Sequence, residues 1–235
     1  MSLSTLRAQK SGELAMASWN GQKLAGAAGI VFIVLTLIGA FIVSPPPSAD
    51  ESPTKFLAYF DDNRTVLLVQ MIIGFFSVIP ATLFVSGFWN VLRGEEAEGG
   101  ILATAAAIGF ILAGAVVLVA TGWIGALGYL GDGNGLDEGD ARTLSLLGSV
   151  LCNSAIFVAF ATFEGSSALV LLKGSALPRW LGWVGLAVGV LGLIGVFSVA
   201  KDGAFAPFGP ASFVAFLSFS AYVALVSIFM WLRGK

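Results

Sequence analysis

Six apolar stretches, at about 24–43, 65–92, 101–130, 143–172, 180–200 and 210–232, occupy most of this chain. A helix needs roughly 20 apolar residues to cross a hydrocarbon core about 30 Å thick, and each stretch has about that length or more. The runs are continuous. Barrel strands would alternate polar and apolar positions over about ten residues. In hydrocarbon the backbone must satisfy its own hydrogen bonds, which a helix does within one segment. Composition fits the same reading: 57% of the chain is hydrophobic and only 11% charged, against about a quarter charged in a soluble domain. The sequence therefore predicts an all-α, polytopic transmembrane bundle of six helices spanning 24–235, preceded by a polar tail over 1–23. Twenty-three mixed residues before a full-length apolar run do not fit a cleaved signal, whose apolar core is about 7–15 residues after a short basic start. Leu24–Val43 is read as a retained helix.

The side-chain inventory narrows the chemistry. The chain has no His, the usual axial ligand of haem and the commonest ligand of zinc, copper or non-haem iron. Cys152 is the single cysteine, so no intrachain disulfide forms. A net charge of −2 gives no electrostatic footprint for nucleic acid. No cofactor, metal or nucleic-acid partner is expected, and membrane lipids are the expected environment.

Basic residues near helix ends stay in the cytoplasm. The tail, the 93–100 and 173–179 loops and the C-terminus hold Arg7, Lys10, Lys23, Arg93, Lys173, Arg179, Arg233 and Lys235, eight of the twelve basic residues. The other loops, 44–64, 131–142 and 201–209, hold Lys55, Arg64, Arg142 and Lys201 with most of the acids. The count predicts both termini cytoplasmic and those three loops external. Trp19, Trp89, Trp180, Trp183 and Trp231 gather toward the cytoplasmic interface, Trp123 and Tyr129 toward the external one.

The first external loop opens with Pro45-Pro46-Pro47, which stops a helix and extends the chain. Ser52-Pro53 reads as an N-cap with proline in the first turn. Over Thr54–Arg64, Phe56, Tyr59 and Phe60 share one face, which predicts a short amphipathic helix lying on the external surface. Pro80, in the second apolar run, predicts a kink. No inverted repeat of the kind found in transporters is visible between the two halves.

Lipid gives helices no hydrophobic reason to associate, so small residues must let backbones approach. Gly182, Gly185, Gly189 and Gly192 fall on one face of the fifth run and predict a clamped helix there. That face meets either another helix of this chain or a second protein.

Glu164 is the one ionisable residue deep inside a predicted span, about 12 Å from its cytoplasmic end. A charge there is costly and turns toward the bundle or a wet cavity. Asn153 lies about three turns earlier on nearly the same face. Glu164 and Asn153 form the candidate buried polar or ion site. One reading makes the acid a proton or cation site. The other makes it interhelical glue, hydrogen-bonded to groups such as Gln70, Ser77, Ser86, Ser220 or Ser227. The absence of an intramembrane basic or acidic partner in the sequence favours glue, since proton relays use such chains.

Gly131–Glu138 invites a calcium reading, but Leu136 and Asp137 stand where an EF-hand needs a ligand and a glycine, and Thr143 where it needs Glu. An acidic turn is the reading. Without His a Ser-His-Asp centre is excluded, and an intramembrane aspartyl centre needs two facing acids. No catalytic site is expected.

Phe56-Leu57-Ala58-Tyr59-Phe60 with Arg64, and Leu177-Pro178-Arg179-Trp180-Leu181-Gly182-Trp183 before the fifth run, resemble motifs of a broad family of bacterial six-helix integral membrane proteins of unknown function. The resemblance covers about 20–232. It implies a six-helix fold in a bacterial cytoplasmic membrane, and no reaction. Arg179, Trp180 and Trp183 suit an interface anchor, the guanidinium at lipid phosphate and the indoles at headgroup level. Three functions compete. The first is a non-catalytic structural or accessory subunit of a membrane complex, partnered by another integral protein or by copies of itself. The second is a proton- or cation-coupled carrier or channel using Glu164. The third is a lipid- or pigment-binding protein, which rests on the 19 phenylalanines and a groove between helices.

Overall fold

The computed structural model describes residues 3–96, 99–131 and 135–234, with side chains from residue 21 onward. Six α-helices follow one another: α1 (Leu3–Phe41), α2 (Pro53–Glu95), α3 (Ile101–Leu130), α4 (Glu138–Lys173), α5 (Arg179–Gly195) and α6 (Pro210–Arg233). No strand occurs among the described residues. Gly21–Phe41 of α1, and α2, α3, α4 and α6, are long and apolar enough to cross a membrane. The protein is read accordingly as a multi-pass membrane protein.

The helices form a closed ring in chain order. Each packs on the next, α6 returns to α1, and α2 meets α4 across the middle. Glycines close the seams. A Cβ on Gly26 of α1 would lie 2.7 Å from the Ser227 carbonyl of α6, and one on Gly74 of α2 would lie 2.6 Å from Thr121 of α3. A Cβ on Gly109 of α3 would lie 2.7 Å from the Phe163 amide of α4, and one on Gly182 of α5 would lie 2.9 Å from the Ala168 carbonyl of α4. These approaches are too close for any side chain, as small-residue packing in lipid requires. At one end of the bundle Lys23 and Gly234 are in contact, so α1's apolar part begins where α6 ends.

Besides α1, whose helix begins at Leu3 ahead of its apolar run, helix lengths depart from the apolar runs in three places. At 43 residues, α2 spans about 65 Å at 1.5 Å per residue, twice the hydrocarbon thickness. The amphipathic segment Thr54–Arg64 is its first turns and not a separate surface helix. Nothing between Thr54 and Ile79 breaks the helix, and Phe56 and Phe60 find protein instead of lipid. They are buried with Leu67, Leu127, Leu136 and Ala141 in a second core cluster joining α2, α3 and α4. Pro80 sits within α2 without ending it.

The second departure is α4, which starts five residues before the predicted span. Asp137 caps it by accepting from the Asp140 amide at 2.8 Å. The third is α5, which stops at Gly195 instead of reaching 200. Its 17 residues cover about 26 Å, and its glycines weaken helix propensity. The link to α6, which holds one 3-10 turn at Gly203–Phe205, is correspondingly apolar, with Phe197, Val199, Phe205 and Phe208 exposed. Asp132–Asn134, the heart of the acidic turn, and the side chains of the tail, including Arg7, Lys10 and Trp19, lie outside the described residues.

Candidate functional site

The bundle is filled at one level by an aromatic plug. Phe160 and Phe219 stack at 3.7 Å with 7° between their planes. Phe110 packs edge-on against Phe163 at 5.1 Å, Phe84 lies 5.5 Å from Phe110, and Phe163 meets Tyr222 at 6.0 Å. The rings come from α2, α3, α4 and α6 and are almost wholly buried. Each such pair adds about 0.5–1.5 kcal/mol beyond area burial.

From the plug to the Lys23 end the chain is tied by polar contacts. Glu95 of α2 accepts from the Ser175 and Ala176 amides at 2.5 and 2.9 Å, and Arg233 of α6 donates to the carbonyls of the same two residues at 3.3 and 3.1 Å. The α4–α5 loop is thus clasped from both sides. Glu96 accepts from the Leu102 and Ala103 amides at 3.0 and 2.9 Å, capping α3. The turn before it needs Gly100, whose φ of 56° suits glycine. Bonds from the Ala103 and Leu102 amides hold the Glu96 carboxyl below its ordinary range.

On the other side of the plug the bundle is hollow. A cavity of about 520 Å³ runs from Ser44–Pro46 and Phe208, in the two links at that end, down to Phe160. Its wall is predominantly apolar, and among the described residues no Lys, Arg, Asp or Glu lines it. A second cavity of about 250 Å³ shares Val117, Ile156, Phe160 and Phe216 with the first and reaches Thr82 and Ile111 on the outer faces of α2 and α3. A Cβ on Gly114 in that seam would touch nothing within 4 Å. Phe208, at the mouth, holds a φ of 62°. A bulky side chain seldom adopts that conformation, and such strain gathers at functional sites.

Asn153 lines this cavity, and Glu164 does not. The two candidates of the sequence are therefore not brought together, because Phe157 and Phe160 of the same helix stand between them. Asn153 donates to the Ser149 carbonyl at 2.8 Å. Gln70, on another wall, donates to the Gly39 carbonyl at 2.8 Å. Trp123 is a wall residue whose Nε1 donates to the Leu144 carbonyl at 3.0 Å.

Glu164 lies in the α4–α5 seam with 0% exposure, and neither carboxyl oxygen has a hydrogen-bond partner among the described residues. The partners expected for interhelical glue do not reach it. Ser77, Ser86 and Ser220 bond to carbonyls of their own helices, the usual local alternative for a helical serine. Gln70 is taken by Gly39, and Ser227 sits against Gly29. Nearby, Ser167 and Tyr222 share a hydroxyl bond of 2.9 Å.

The glycine face of α5 is spent within the chain. A Cβ on Gly185 would lie 2.8 Å from the Tyr222 hydroxyl, one on Gly189 would lie 3.6 Å from Glu164 Cβ, and one on Gly192 would lie 3.2 Å from Glu164 Oε2. Arg179 is exposed, and Trp180 and Trp183 are 45% and 67% exposed, outside the bundle at its tied end. Sequence reading missed the Glu95–Arg233 clasp, because two charges 138 residues apart carry no local pattern. It also missed the cavity, which no single segment encodes.

Comparison of the chain with protein-family models, with curated proteins and with solved structures gives no match.

Proposed function

We propose that the protein is a non-catalytic membrane protein that binds a lipid-soluble small molecule in the hollow half of its bundle. The cavity of about 520 Å³ carries this reading. Ligand sites typically enclose about 300–1,000 Å³ and are mostly apolar with a few placed polar groups. Buried water needs two to four polar partners per molecule, and this wall offers few. An apolar occupant fills it at least cost.

The other readings lose their supports. The glycine faces offered for a protein partner are occupied by the chain's own helices. The acid offered for a carrier lies outside both cavities.

Orientation follows from charge. The contact of Lys23 with Gly234 supports an even number of crossings, with the shorter α5 as the sixth. The excess of Lys and Arg at that end supports its facing the cytoplasm, so the cavity mouth and the first turns of α2 face outward. A bacterial cytoplasmic membrane rests on the sequence resemblance alone.

Purification in mild detergent, organic extraction and mass spectrometry test the binding reading. One small amphiphile, enriched over bulk lipid and depleted in Val117→Trp at the junction of the two cavities, is the expected result. A wild-type extract with the composition of bulk lipid contradicts it.

A further inference from the structure

The cavity face of α4 changes character with depth. Ser145, Ser149 and Asn153 succeed one another at four-residue intervals on the wall, followed by Ile156 and Phe160. The Ser149 hydroxyl donates to the Ser145 carbonyl at 2.8 Å, and Asn153 donates to Ser149 in the same way. Each amide spends one N–H in this way and keeps a second, and among the described residues neither Asn153 Oδ1 nor, on another wall, Gln70 Oε1 has a hydrogen-bond partner. Ile156 and Phe160 also line the second cavity, whose mostly apolar wall reaches the lipid-facing side of the α2–α3 seam. Among the described residues no charged side chain lines either space.

Resting on the reading of the cavity as a binding site, we propose that its ligand is an uncharged amphiphile with a hydrogen-bond-donating head and a single long chain. A long-chain alcohol is the simplest such molecule. The head lies along the Ser145–Ser149–Asn153 stripe, and the chain passes Ile156 and Phe160 into the second cavity. A hydroxyl, which both donates and accepts, answers amides that keep a free carbonyl and a second N–H. A head of either charge would enter without a counter-charge to offset its desolvation. A head with no donor would leave the Asn153 carbonyl unpaired. The opening between α2 and α3, at Gly114, lets such a molecule arrive from the bilayer without crossing water.

The test uses the purified full chain in lipid nanodiscs and a hexadecanol bearing a diazirine in its chain. Photoadducts are mapped by peptide mass spectrometry after irradiation in the presence of hexadecanol, hexadecyl methyl ether or hexadecyl phosphate as competitor. Adducts on the cavity face of α3 and α4 are expected, their formation displaced by hexadecanol at concentrations at least about tenfold below those needed for the ether or the phosphate. In Asn153→Leu the adducts persist and the preference for alcohol over ether falls about tenfold, while the unfolding temperature shows that the variant is folded. Equal displacement by all three competitors, or preferential displacement by the phosphate, overturns the assignment of the head and leaves the cavity reading intact. Adducts confined to lipid-facing side chains, displaced by none, overturn both.

Discussion

The two halves of this bundle are built from the same six helices and solve opposite problems. In the half ending at Lys23 and Arg233, aromatic rings from four helices interlock and a glutamate and an arginine clasp one loop. In the half ending at Ser44–Pro46, the same helices diverge around a space of about 520 Å³. What differs is that the plug's rings meet one another at the axis. A membrane protein has little hydrophobic drive to collapse, so an unfilled half persists wherever large side chains do not meet.

The contrast breaks hardest at the plug. Phe163→Ala removes a fully buried ring and is expected to cost about 3–5 kcal/mol. Ile124→Ala, on the cavity wall, is expected to cost less than half of that, because its neighbours are already missing on one side. Reversible unfolding in mixed micelles measures both, and equal losses would contradict the division.

Glycine substitution sharpens the same comparison. A side chain at Gly29 runs into Ser227 and lies 2.6 Å from Phe84, so Gly29→Leu is expected to destabilise by about 1–3 kcal/mol. Gly114→Leu enters open space and improves helix propensity, so its melting temperature is expected to hold or rise. A matching loss at both positions would mean that the α2–α3 seam is closed.

Glu164 asks whether the packed half carries a hidden activity. Replacing an unpaired buried polar group with an apolar one of similar shape is nearly neutral or stabilising. Glu164→Met is expected to leave stability unchanged or raise it by about 1 kcal/mol. Proton flux into liposomes is expected to be the same for wild type and Glu164→Gln. A flux lost in Glu164→Gln would restore the carrier reading.

The smallest effect is at Glu96. Its folded carboxyl is held below the ordinary value of 4.5 by the Ala103 and Leu102 amides. Its contribution is present above that value and fades as pH falls through the lower folded one. Exchange protection of the Leu102 and Ala103 amides is expected to weaken on acidification, and Glu96→Gln to flatten that dependence. An unchanged pH profile in the variant would remove the cap.

Most of the architecture was legible because bilayer thickness fixes how long an apolar run must be. The α3 boundaries, Ile101 and Leu130, coincide with its run. Ends were misjudged where partners outside the membrane extend a helix. Thr54–Arg64 reads as amphipathic in isolation, and only α3 and α4 reveal what covers Phe56 and Phe60. The glycines of α5 were legible as a close-packing face, but not their partners on α4 and α6. Asn153 stood out as a polar residue in a span. Its role on a cavity wall did not, because a cavity is a property of five elements at once. Ser145 and Ser149 look like ordinary membrane-helix content until Asn153 is seen above them on the same wall.

The division into a packed and a hollow half is tested most directly by the reactivity of the one native cysteine. Cys152 lines the cavity, whereas Ala106 is 1% exposed within the plug-side core. A small lipophilic maleimide applied to the folded protein in lipid nanodiscs is expected to alkylate Cys152, more slowly in Val117→Trp, and to leave a cysteine placed at 106 in a Cys152→Ser background unmodified. Equal labelling of the two positions, or protection of Cys152 as complete as that at 106, would contradict the account.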